Sequence, residues 1–123
     1  MESKRFSVGD RFKSFSYAAR GIVSFLSREH NSWLHFIATV VVVVAGFWFH
    51  LSGMEWIAIV VAIALVWVSE MLNTALEHLV DFISTERRKE IKFIKDVAAG
   101  AVLVSAIAAL IIGLIVFIPH FNK

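Results

Sequence analysis

Twenty-two consecutive residues, Val97 to Ile118, contain no charged side chain. A helix of ~20 residues covers the roughly 30 Å hydrocarbon core of a bilayer, so this stretch is long enough to span one. Ser32 to Leu51 has the same property and includes five consecutive valines, Val40 to Val44. Between the two, Trp56 to Val68 is apolar for only 13 residues before Ser69-Glu70 opens a run of widely spaced polar residues. Flanked by two clear spans, this segment reads most simply as one long helix over 56–81 whose far half is polar on one side. The predicted fold class is all-α integral membrane, a single domain over 1–123 with spans at 32–51, 56–81 and 97–118. Ser52 to Trp56 is the expected connector of an antiparallel hairpin, and Pro119 the expected stop of the third span. Composition agrees, because 59% of residues are hydrophobic and 18% charged, whereas soluble domains are about half apolar and about a quarter charged. With no Cys, an ordinary soluble globule, a disordered tail and a disulfide-stapled secreted domain are all excluded.

The net charge of +2 is too small to make nucleic acid the main partner, but the charges are strongly sided. Lys4, Arg5, Arg11, Lys13, Arg20 and Arg28 precede the first span, and Arg87, Arg88, Lys89, Lys92 and Lys95 lie between the second and third. Beyond the third span stands Lys123 alone. Positively charged flanks stay on the cytoplasmic side, so the N-terminus and the 82–96 loop are expected inside and the C-terminus outside. A polar N-terminus and a late first apolar run argue against a cleavable signal peptide. Val8, Phe12, Phe15, Ala19, Ile22 and Leu26 recur every three or four residues, with Arg11, Lys13 and Arg20 off that stripe. Residues 1–28 therefore read as a basic amphipathic helix lying in the headgroup layer. Ser7 and Asp10 are placed for a capping box, with Asp in the usual Glu position.

The most informative residues are polar ones in the second span. At helical pitch Glu70, Asn73, Thr74, Glu77 and Asp81 fall within an arc of ~100°. Met71, Leu72, Leu76 and Leu79 occupy the opposite face. Carboxylates inside a bilayer are costly and usually face a protein interior, a wet cavity or a counter-charge. Stacked carboxylates also repel one another unless a cation or a shared proton intervenes. A divalent metal answers both costs, and Mg²⁺ in particular takes one or two carboxylates and completes its shell with water and substrate phosphate oxygens. Asp81 alone is equally well explained as the point where the helix leaves the membrane. Glu29, in Arg28-Glu29-His30-Asn31, and Lys95-Asp96 are expected at the same cytoplasmic level. Each has a bland alternative, a solvated interfacial residue or a snorkelling Lys with a helix-start Asp.

Other sites are disfavoured. The five histidines lack the i, i+4 pairing of a zinc helix, and no Cys is present. Trp33, Trp48 and Trp56 fit an aromatic belt. The six glycines form no Walker A loop, Gly-rich kinase loop or dinucleotide fingerprint. Ala101, Ser105, Ala109 and Gly113, each four apart, form a small-residue ridge suited to close helix packing within or between subunits. Three helices are few to enclose a site, which favours self-association.

The stretch Glu70-Met-Leu-Asn73-Thr74-Ala75-Leu-Glu77-His-Leu-Val-Asp81, followed by Lys95-Asp96-Val-Ala98-Ala99-Gly100-Ala101-Val, resembles the prokaryotic diacylglycerol kinase and undecaprenol kinase family. The likeness extends over roughly residues 10–118, and Glu29 in its E-x-N setting also fits. It implies a homotrimeric enzyme of the bacterial inner membrane, with an N-terminal surface helix and three transmembrane helices. Such enzymes transfer the γ-phosphate of Mg-ATP to a lipid hydroxyl, diacylglycerol or undecaprenol, at sites shared between subunits. By position, Glu70 corresponds to the general base, and Glu29 and Glu77 to the metal ligands. Tyr17, Glu29, Glu77, Glu86, Lys95 and Asp96 correspond to the ATP-binding set, and Asn73 and Asp81 to residues that orient phosphate or substrate. The chain departs from the family at Asp10, where a basic residue is expected, and in the strongly basic Arg87-Arg88-Lys89. Two other classes compete with the kinase: a small oligomeric proton-coupled transporter using Glu70 as carrier, and an inert scaffold. The transporter leaves Glu29 and Lys95-Asp96 unexplained, and the scaffold predicts that Glu70→Leu is tolerated or even stabilising.

Overall fold

Each helix boundary is set by local chemistry, and several differ from where hydropathy places them. The computed structural model describes residues 5–123; Lys4 and the start of the predicted 1–28 helix lie outside that range. The first helix, α1, covers Val8–Arg28. Ser7 caps it, its Oγ accepting from the Asp10 N–H at 3.4 Å, which supplies a partner for one of the donors every helix start leaves open. Three further helices follow, α2 at Asn31–Trp48, α3 at Gly53–Ile83 and α4 at Lys89–Phe121. The described residues contain no strand.

The chain forms two compact units, one up to Ala38 and one from Thr39 to Lys123. In the first, α1 meets the start of α2 at an elbow built on Ser32, which is fully buried. The Ser32 hydroxyl lies 2.6 Å from the Glu29 carbonyl and 3.1 Å from that of Leu26. It thereby occupies carbonyls that the end of α1 leaves without helical partners. The apolar stripe of α1 stays open within the chain, with Phe12 72% and Phe15 76% exposed, as a helix lying against lipid requires.

In the second unit the hairpin turns earlier than expected. The Leu51 N–H donates to the Gly46 carbonyl at 3.1 Å and the His50 N–H to that of Phe47 at 3.3 Å. His50 takes a φ of 56°. Together these form a Schellman stop, which ends α2 at Trp48 rather than at 51 and leaves His50 in the left-handed position usually given to Gly. The connector is therefore 49–52, not Ser52 to Trp56. Ser52 and Glu55 form a full capping box, with the Glu55 N–H donating to Ser52 Oγ at 3.2 Å and the Ser52 N–H to Glu55 Oε1 at 3.0 Å. Hydropathy starts this helix at Trp56 because the cap is polar, yet the cap is what starts it. Left-handed backbone is strained for a residue with a Cβ. His50→Gly is expected to raise thermal stability by about 0.5–1 kcal/mol, measurable as a higher unfolding midpoint in micelles.

The helix that carries the third span is longer than the span itself. α4 begins at Lys89, eight residues before the apolar stretch 97–118, and runs through Pro119, the expected stop, to Phe121. Residues 89–96, with charges at Lys89, Glu90, Lys92, Lys95 and Asp96, continue the helix beyond its apolar part, since hydropathy marks burial and not helical backbone. Pro119 removes one N–H near the end of the helix, where the final carbonyls lack helical partners in any case.

Helices α3 and α4 make the main helix–helix contact. Leu51, Ile59 and Val116 form the buried core, with Phe49, Trp56, Ile112 and Phe117 packed around them. α2 joins this core through the Trp56 ring, which lies where a Cβ on Gly46 would fall, 2.5 Å from Cη2. Farther along, the Trp67 indole N–H donates to Thr39 Oγ1 at 2.9 Å, satisfying both polar groups without water. On the small-residue ridge, Ser105 is buried and donates to the Ala101 carbonyl at 2.9 Å. Among the described residues three helices are long and apolar enough to cross a membrane, and the chain buries only 11% of each apolar window. Such apolar exteriors identify a membrane protein, because hydrocarbon rather than water must face them.

Candidate active site

The polar face of α3 begins about five turns into a helix that has no Gly or Pro between Met54 and Ile83, so its register is uninterrupted. Glu70, Asn73, Glu77 and Asp81 follow at spacings of three and four and share that face. Glu70, Asn73 and Glu77 are each half-buried, while Asp81 is exposed at the end of the helix. The Asn73 amide Nδ2 donates to Glu77 Oε1 at 3.3 Å. An ionised carboxylate only accepts, so this bond fixes which end of the amide faces Glu77. The other end, Asn73 Oδ1, is buried and has no hydrogen-bond partner. A buried acceptor left open costs about 1–3 kcal/mol, a cost that a substrate hydroxyl or a cation would relieve.

Across the loop, Lys95 on α4 reaches Asp81, with Nζ 2.8 Å from Oδ1. Lys92 pairs with Asp96 one helical turn away, and Arg88 grips Glu86 through Nε at 3.0 Å and Nη2 at 2.9 Å. Asp81, Glu86, Arg87, Lys92, Lys95 and Asp96 contribute to the walls of an open polar cavity of about 570 Å³. On the same unit an apolar groove of about 490 Å³ runs past Leu65, Leu72, Phe93 and Val97, with Ser69 and Asn73 as its polar lining residues. The Asp81–Lys95 pair is partly exposed, and exposed pairs are worth little. Asp81→Asn is expected to lower stability by less than about 1 kcal/mol, so any large loss of turnover in that variant reports on the site and not on the fold.

In the first unit, Glu29 is half-buried at the C-cap of α1, its N–H donating to the Phe25 carbonyl at 3.1 Å. Tyr17 is exposed on α1, and the Arg20 guanidinium lies 5.9 Å from its ring centre. Among the described residues no three His, Asp or Glu side chains converge on one point. Glu77 offers carboxylate oxygens, which suit a hard cation that keeps water or phosphate ligands and not a closed protein cage.

Two links escape sequence inspection. The Asn73–Glu77 bond has a signal, the i, i+4 spacing, though it does not say which end of the amide turns away. The Asp81–Lys95 bond joins residues 14 apart across a turn, and only the lengths of both helices reveal it. Arg87 and Lys92, noted above only as part of a basic run, share the cavity with Lys95 and Asp96.

Residues 16–117 match the prokaryotic diacylglycerol kinase family. The chain is 42% identical over 121 residues to the undecaprenol kinase of Bacillus subtilis (strain 168), covering 97% of this chain and 98% of that protein. It is 37% identical over 107 residues to a diacylglycerol kinase of Synechocystis sp., covering 86% of this chain and 61% of that one. It is 28% identical over 110 residues to the diacylglycerol kinase of Escherichia coli (strain K12), covering 89% and 90% of the two chains. An all-helical chain with three apolar spans, a carboxylate face on the second and a lysine answering it from the third thus belongs to the prokaryotic diacylglycerol kinase family of membrane phosphotransferases that act on an alcohol group.

Proposed function

We propose that this protein phosphorylates the hydroxyl of a membrane lipid with the γ-phosphate of Mg-ATP, undecaprenol being the acceptor to test ahead of diacylglycerol. The observation that carries the reading is the half-buried face of Glu70, Asn73 and Glu77 on α3, running towards Lys95 beside Asp81. Preference for undecaprenol rests on the 42% identity with an undecaprenol kinase over nearly the full length of both chains.

Glu70 acts as general base. It takes the proton of the lipid hydroxyl, whose oxygen forms a bond to the γ-phosphorus while the bond from phosphorus to the β–γ bridging oxygen breaks and ADP leaves. The acceptor's tail lies in the apolar groove and its hydroxyl meets Glu70 near Asn73, whose open Oδ1 is available to orient it. Glu29 and Glu77 hold Mg²⁺, which when bound neutralises charge on the phosphates. Tyr17, Glu86, Lys95 and Asp96 hold the nucleotide, and Asp81 keeps the Lys95 ammonium in place. Phosphoryl transfer depends mainly on such positioning and charge neutralisation. Self-association completes the site, as a homotrimer in which neighbouring chains cover apolar surface that one chain leaves open. The enzyme sits in the inner membrane with its N-terminus and the 84–88 loop in the cytoplasm, where ATP is found.

Family membership gives no support to the transporter reading. Membranes containing the protein, supplied with Mg²⁺ and labelled ATP, are expected to convert undecaprenol to its phosphate, and diacylglycerol less efficiently. Failure with both lipids would remove the kinase reading, and lipid-independent flux driven by a pH gradient would restore the transporter.

A further inference from the structure

The polar cavity beside the 84–88 loop favours an anion. Five cationic side chains line it against three carboxylates, Asp81, Glu86 and Asp96. Each carboxylate is already engaged, Asp81 by Lys95, Glu86 by Arg88 and Asp96 by Lys92. The surplus of positive charge attracts a polyanion, whose approach no free carboxylate on these walls opposes. Lys95 is the lysine of the proposed nucleotide set, and Lys92 repeats its construction. Lys95 and Asp96 lie three and four residues after Lys92, so all three share one face of α4. Asp81 Oδ1 accepts from Lys95 Nζ at 2.8 Å, and Asp96 Oδ2 accepts from Lys92 Nζ. An ammonium carries three donors, and each of these bonds uses one. Both lysines therefore keep donors for phosphate oxygens while an aspartate aims them.

The two lysines differ in depth. Helical rise places Lys92 about 4.5 Å farther than Lys95 from the apolar part of α4, and its side chain is 78% exposed against 40%. We propose that Lys92 is a second nucleotide-binding lysine, which holds the α- and β-phosphates while Lys95 takes the γ-phosphate. This assignment rests on the proposed kinase reaction, in which the lipid hydroxyl comes from the membrane side and the γ-phosphate must face it. The α- and β-phosphates then lie on the cytoplasmic side, at the level of Lys92. ADP keeps both of those groups, so the contact is made equally in the ground and transition states. Such a contact lowers KM and leaves kcat alone.

The test combines kinetics with equilibrium nucleotide binding, on the full chain in micelles with Mg²⁺. Lys92→Gln is expected to raise KM for ATP and Kd for ADP by the same factor, about tenfold for one charge-assisted contact, with kcat unchanged. Kd for AMP, which lacks the β-phosphate, should rise less. Lys92→Arg should restore most of the affinity. The unfolding midpoint should stay in place in both variants, because an exposed ion pair adds little to stability. Lys89 also lines the cavity, one turn farther out, and Lys89→Gln should alter ADP affinity by less than about twofold, since exposed charges are screened. Unchanged ADP affinity in Lys92→Gln would overturn the assignment, as would a loss confined to kcat. An equal loss in Lys89→Gln would also overturn it, by showing diffuse attraction in place of a contact. The expected ADP results in a protein that phosphorylates neither lipid would keep Lys92 as a phosphate ligand and remove the lipid reaction. No ADP binding by wild type would remove both.

Discussion

Replacing Glu70 by Gln should stop lipid phosphate formation, lowering kcat by roughly 10²–10⁴-fold, the range over which a positioned general base acts. The substitution keeps the shape and removes the proton acceptor. Gln keeps the length and shape of the side chain within an uninterrupted helix, so helicity and the unfolding midpoint should change little while turnover is lost. That combination separates a catalytic from a structural role. Glu77→Gln should behave differently. Its partner Asn73 can still donate to a Gln oxygen, but the proposed Mg²⁺ ligand is lost, so activity should fall at ordinary Mg²⁺ and partly recover as Mg²⁺ is raised. Turnover measured at saturating ATP and lipid, over a range of Mg²⁺, tells the two apart. If Glu70→Gln turns over normally, proton abstraction by this residue is excluded.

The largest stability loss is expected at Gly46. A Cβ there would lie 2.5 Å from Cη2 and 2.9 Å from Cζ2 of Trp56, and the ring cannot withdraw freely because it also packs 4.9 Å from Phe47. Gly46→Leu should therefore cost about 1–3 kcal/mol or more through overpacking, read as a lower unfolding midpoint in micelles. A smaller residue at 56 should recover part of that loss, so Gly46→Leu with Trp56→Leu should cost less than the sum of the single changes. Gly113, where an added Cβ meets nothing within 4 Å, offers the contrast: Gly113→Ala should be neutral or stabilising, because Ala is the better helix former. Similar losses at both glycines would show that helix propensity, and not the Trp56 contact, sets the cost.

Much of this molecule is legible along its length. Apolar runs of bilayer length reveal the three spans because lipid permits little else, and the Glu70–Asp81 face follows from helical pitch alone. What hydropathy misplaces are boundaries, since the Ser52 cap, the left-handed His50 turn and the charged first turns of α4 are all polar and lie outside the stretches that hydrophobicity marks.

Sequence by itself determined the class of the protein, its three apolar stretches and the helical face that its carboxylates share, because each of those depends on the order of residues within one helix. Only tertiary structure decided that Lys95 answers Asp81, that Trp56 needs Gly46, and that Glu55 holds His120 from 65 residues away. Each of those contacts joins separate segments, and a period of 3.6 residues along one helix carries no information about which face of another will meet it.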